Sequence, residues 1–210
     1  MLFQEINQLI TYDERQRMVP GDRDRLTTLV NSARAQDPAD YTTTRALGVG
    51  LLLLGEHGDA IDHLNRALDL ADTSGRRIAA SINLADAYRY SGDMATSETL
   101  CREMVDLARK EVPEMVSFAL QHLGRTLVDL GRRQEAREVL HEALALRMAK
   151  GDPELIASSQ AGPATPRPLT LSHATLDHRL RSSWLHRSRW SVAYSLREAG
   201  WPRGRRRVRG

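Results

Sequence analysis

One spacing occurs three times in this chain, and it excludes most folds. Leu47, Gly48, Gly55, Ala60, Leu64, Ala67 and Leu70 form its first copy. Leu84, Ala85, Tyr88, Gly92, Ser97, Cys101, Met104 and Leu107 form a second, and Leu123, Gly124, Leu127, Gly131, Ala136, Leu140, Ala143 and Leu146 a third. Gly92 follows Gly55 by 37 residues, and Gly131 follows Gly92 by 39. Within each copy the apolar residues recur at three- and four-residue steps on either side of the glycine. That periodicity places one apolar stripe on each of two helices.

Each residue type has a packing reason. Gly48, Ala85 and Gly124 facing Ala60, Ser97 and Ala136 let two backbones approach, while Leu64 and Leu140 fill the groove beside them. Gly55, Gly92 and Gly131 stand where the first helix must stop and reverse, a position that favours positive φ. A single pair cannot bury its outer face, so such units stack into arrays. Aromatics are only 5% of the residues, which suits helix on helix better than a sheet.

Leucine-glycine on the first helix and alanine, a large residue and alanine on the second resemble the tetratricopeptide repeat, over roughly residues 42–150. The resemblance implies an all-α fold of antiparallel helix pairs in a right-handed superhelical solenoid. The spacing exceeds the family's usual 34 residues, so longer helices or turns are expected, as in bacterial members. Met104 stands where a small residue is usual, and Asp72 near the usual proline.

The expected organisation is a degenerate helix pair or cap over 1–36, then three repeats within 37–150, at about 42–73, 78–110 and 114–150. In the cap, Leu2, Ile6 and Ile10 mark one helical stripe, and Leu26, Leu29, Val30 and Ala33 another. Asp37-Pro38 offers an N-cap and first-turn proline for the next helix. Residues 151–160 read as the start of a fourth repeat that is then aborted, since Pro163, Pro166 and Pro168 oppose a continuing helix. The open end of the third repeat is expected to favour self-association.

The charge changes at that point. Residues 1–160 hold 19 basic and 25 acidic side chains, whereas residues 161–210 hold 11 arginines, two acidic residues and all three tryptophans, Trp184, Trp190 and Trp201. Two readings fit this tail, which is expected to be poorly ordered apart from a helix around Thr175 to Arg197. A genuine arginine-rich extension would contact nucleic-acid phosphates, with tryptophans stacking on bases. Translation out of frame would also produce arginine, serine, proline and tryptophan without lysine, and nucleic acid would then be no partner.

No catalytic constellation is visible. Gly48-Val49-Gly50 lacks the preceding strand and third glycine of a dinucleotide loop, and no phosphate-binding Gly-Lys-Ser or Gly-Lys-Thr occurs. The seven histidines include no i, i+4 pair, and the one cysteine, Cys101, stands at a core position. The expectation is therefore a protein that is not an enzyme and has no cofactor or metal. No secretory signal or apolar run of membrane-spanning length is present, so a cytoplasmic protein without a membrane partner is expected.

The resemblance implies that the first helix of each repeat lines a concave groove. The ligand-facing positions then fall on Arg45 and Val49, on Asn83, Asp86 and Arg89, and on Gln121, His122 and Arg125. The function implied is binding of a protein or peptide segment in that groove. Chaperone-binding members carry lysine and asparagine at first-repeat sites where this chain has Arg45 and Val49, which argues against that ligand. A sensor fragment of a larger bacterial regulator is the remaining alternative.

Overall fold

A computed structural model of the chain describes residues 2–13 and 17–150. The three copies of the spacing are three helix pairs: α3 (Tyr41–Leu54) with α4 (His57–Asp69), α5 (Ser74–Ser91) with α6 (Met94–Glu111), and α7 (Val116–Asp129) with α8 (Arg133–Ala149). A single 3-10 turn, Pro113–Met115, leads into α7. Each second helix also packs against the next pair, α4 on α5 and α6 on α7. The result is an all-α, solenoid-like stack. Its repeats are long because α5 and α6 have 18 residues each, against 14 and 13 in α3 and α4.

The three reversals are closed identically. Gly55, Gly92 and Gly131 have φ of 84°, 98° and 75°. Each donates its N–H to the carbonyl three residues back, and the next residue donates to the carbonyl five back, as in Glu56 to Leu51, Asp93 to Tyr88 and Arg132 to Leu127. Carbonyls that the helix end would leave unpaired are thereby satisfied. Helix starts are capped too, by Asp40 for α3, Thr73 for α5 and Asp93 for α6.

The small positions do what packing requires. A Cβ on Gly48 would lie 2.7 Å from Leu64 Cγ, and one on Gly124 2.6 Å from Leu140 Cγ. Leu64 is fully buried. Leu140 is only half-buried, because α8 is the last helix of the described stack. Cys101 is a core side chain, and burial pushes its thiol up to about 12.

The N-terminal region departs from a plain helix pair. A helix α1 (Leu2–Gln8) is followed by a two-stranded antiparallel ribbon, β1 (Ile10–Tyr12) and β2 (Met18–Pro20), and then by α2 (Arg23–Ala35). Ile10, expected on a helical stripe, is instead a buried strand residue paired with Pro20. Asp37-Pro38 does not start α3. Asp40 caps it by accepting from the Thr43 N–H, while Asp37 takes a φ of 40° in the turn.

The incipient fourth repeat, the arginine-rich tail, its expected helix and the self-association surface beyond Lys150 lie outside the described residues. Among the described residues no helix is long and apolar enough to cross a membrane.

Candidate functional site

The first helices of the pairs, α3, α5 and α7, present a second face away from their own partners. Arg45 on α3, Asn83, Asp86 and Arg89 on α5, and His122 and Arg125 on α7 share this inner wall with Tyr90 and Asp129, whereas Gln121 meets Arg147 of its own partner α8 and Val49 belongs to the apolar core shared with α1. Six of the eight expected residues are thus brought together. The eight do not, however, line an open groove: seven of them are buried, and Arg125 alone is half-exposed.

The centre of the wall is an ion network. Arg89 donates from Nη2 and Nε to Asp86 Oδ1 at 3.0 and 3.3 Å, and from Nη1 to Asp129 Oδ2 at 3.1 Å. His122 Nδ1 lies 3.0 Å from the other Asp86 oxygen, off the line of a good hydrogen bond. Burial by itself would raise the Asp86 carboxyl, but His122, Arg89 and Arg125 together hold it well below the usual carboxylate range. Burial lowers His122 more than Asp86 raises it, so the ring is neutral at neutral pH. Arg89 is then the counter-ion of Asp86, and the pull of His122 acts only once the ring is protonated at low pH.

Toward α3 the wall has a different character. Arg45 is buried, donates from Nε to Asn83 Oδ1 at 2.8 Å, and lies 4.7 Å over the Phe3 ring. It has no carboxylate partner among the described residues. Burial lowers its pKa, and Tyr41 only partly offsets this. At the α8 end, Arg147 donates to Gln121 Oε1 at 2.5 Å, and Phe118 meets His122 edge-on at 4.8 Å.

The wall is covered from the N-terminal side. α1 and β2 pack on α3, and a Cβ on Gly50 would lie 2.6 Å from Val30 and 3.2 Å from Ile6. The ribbon then crosses to the other two helices. The Met18 N–H donates to Tyr90 Oη at 2.6 Å, Arg17 Nη2 donates to Asp129 Oδ2 at 3.4 Å, and the Arg125 guanidinium lies 5.4 Å over the Tyr12 ring. The guanidiniums of Arg17 and Arg89 both lie over the Tyr90 ring, at 5.4 and 4.8 Å.

Sequence reasoning missed Tyr90, Asp129 and the ribbon. The first two were within reach, since Tyr90 adjoins Arg89 and Asp129 stands four residues after Arg125 on the same stripe. The ribbon carries no such signal. Among the described residues no group of three or more His, Cys, Asp or Glu side chains is placed to hold a metal ion.

Paired helices closed by left-handed glycines, with small residues at every crossing, define a helical-repeat solenoid. The repeat can be specified: residues 76–149, the second and third pairs, match the family model of the tetratricopeptide repeat. Residues 76–149 thus match tetratricopeptide repeats, which as a class are protein-interaction modules. No curated protein matches the chain. Among solved structures it is similar to the crystal structure of MamA protein, with TM-score 0.48 and 22% identity over 60% of this chain. That match takes in 66% of the MamA chain. It is also similar to nearly identical TPR-like repeats from Podosopora anserina, named for a kinesin light chain, with TM-score 0.46 and 17% identity over 83% of this chain and 86% of that one. A substituted form of those same repeats gives TM-score 0.46 and 16% identity, over 83% of this chain and 85% of that one.

Proposed function

We propose that the inner wall binds an extended segment of a partner protein and that the chain performs no reaction of its own. The observation that supports this most is that the wall already accommodates an extended strand. β2 runs against α3 and gives its Met18 main-chain N–H to Tyr90, while side chains of the ribbon meet Arg125 and Asp129. Main-chain hydrogen bonding supplies affinity for an extended peptide, and the flanking charged and aromatic side chains supply selectivity. The perturbed groups belong to a buried ion network, which is a structural reason for their shifts.

An array of extended peptides, probed with the full chain and with an Arg125→Ala, Asp129→Asn variant, tests this reading. These two side chains lie toward the partly exposed margin of the wall. A set of peptides retained by the unaltered chain and released by the variant is the expected result. Identical retention by both would reject the wall as the binding surface.

A further inference from the structure

We infer that Tyr12 and Arg17, at the far end of the N-terminal ribbon, are internal occupants of the partner site. The partner segment that replaces them then carries an aromatic side chain for Arg125 and a basic one for Asp129. This rests on the reading of the inner wall as the binding site, and it adds how access to that site is controlled.

The ribbon divides into two parts with different contacts. Phe3, Ile6, Leu9, Ile10 and Met18 are buried in one apolar core with α3, and this part is an integral end of the stack. Tyr12 and Arg17 meet α5 and α7 through polar and cation–π contacts instead. Arg17 keeps 28% of its side-chain surface exposed and reaches Asp129 at the long distance of 3.4 Å. Thr11 and Tyr12 are half-buried. Each strand has three residues, and a two-stranded ribbon of that size has little stability of its own. Tyr12 and Arg17 are held on the wall by one half-buried ion pair and two stacked guanidiniums.

Removing this part would not collapse the wall beneath it. Asp86 and Arg89 hold each other, and Arg89 also holds one oxygen of Asp129. What the departure uncovers is specific. Asp129 loses one of its two guanidinium partners, Arg125 loses the ring it covers, and Tyr90 loses the Arg17 guanidinium over its ring. Those three vacancies lie on α5 and α7, and an extended chain with an aromatic and a basic side chain fills all three. The ribbon is tethered through Gly21, so it competes at an effective concentration on the order of millimolar. The affinity of a partner is then reduced by the fraction of chains in which the ribbon is displaced.

The experiment uses the full chain and a synthetic peptide of residues 9–20 as the probe. Binding of the peptide is compared between the unaltered chain and a Tyr12→Ala, Arg17→Ala variant, in which the internal competitor is weakened. The variant is expected to bind the peptide about tenfold or more tightly than the unaltered chain does, and a peptide with the same two substitutions is expected to bind neither. Equal affinities would overturn the inference. Amide exchange in α5 is the companion measurement: protection lost there in the variant would make the ribbon part of the folding core, and the inference would fall. The peptide array separates this outcome from the functional reading. Array peptides retained equally by the unaltered chain and the Tyr12→Ala, Arg17→Ala variant would leave the binding wall standing without internal competition. Probe binding to the variant with no array peptide retained by either would leave the internal contact and remove the partner.

Discussion

The inner and outer walls of the stack use the same residue types to opposite effect. Outside, Arg34 pairs with Glu56 and Asp59, Arg102 with Glu98 and Glu135, and Arg109 with Glu142, joining α2 to α4 and α6 to α8. These side chains stand in water; Arg109 and Glu142 are 50% and 45% exposed. Inside, Arg89 and Asp86 are 1% and 3% exposed. Water screens the first set and is absent from the second, so an identical ion pair is nearly neutral on one wall and indispensable once formed on the other. Counting salt bridges would miss this difference. The partner's environment decides it.

The largest difference between the walls is expected when one inner partner is removed. Arg89→Ala leaves Asp86 buried without its cation and should cost about 3–5 kcal/mol in denaturant unfolding. A loss within about 1 kcal/mol would mean that the inner wall is wetter than its burial implies. Between the walls, at the helix crossing, Leu64→Ala should cost about 2–5 kcal/mol. Leu140→Ala, at the equivalent but half-buried crossing, should cost clearly less, and equal losses would show that the crossings are equally enclosed.

The next effect depends on pH. His122 is packed against Asp86, Arg89, Arg125 and Phe118, and its folded-state pKa is lowered from the ordinary 6.5, first by burial. The unfolded chain therefore takes up the proton first as pH falls. The contribution of His122 is complete above about 6.5 and is lost as pH drops toward its folded value, with a slope of at most about 1.4 kcal/mol per pH unit. Stability curves of the unaltered chain and His122→Gln, measured from pH 8 to 5, should diverge in that slope; parallel curves would show that the ring is not buried neutral. The smallest effect belongs outside. Arg109→Ala should change stability by less than about 1 kcal/mol and lose even that in high salt.

Much of the fold was legible because its determinants are local. Gly55, Gly92 and Gly131 announce the reversals, since a left-handed residue after a helix is a property of a few consecutive dihedrals. Gly48 against Leu64 and Gly124 against Leu140 announce the crossings, since two helices joined by a short turn must meet at fixed offsets. The inner-wall residues were legible as a set for the same reason, because they recur on one stripe of each first helix. Their burial was not legible. Arg89 looks from its sequence like a groove arginine, and only the position of Asp129, 40 residues away, beside Asp86 makes it an interior one.

Three helix pairs, the place where each reverses and the face each turns to its neighbours follow from periodicity and glycine, which act within a few residues of where they stand. That the N-terminal ribbon crosses the inner wall, and turns it from an open groove into an occupied one, comes from long-range packing alone. Arg17 and Asp129 are 112 residues apart. Nothing in the local preferences of either records the meeting. It follows from the stacking of all three pairs, which alone brings the end of α7 within reach of a strand anchored on α3.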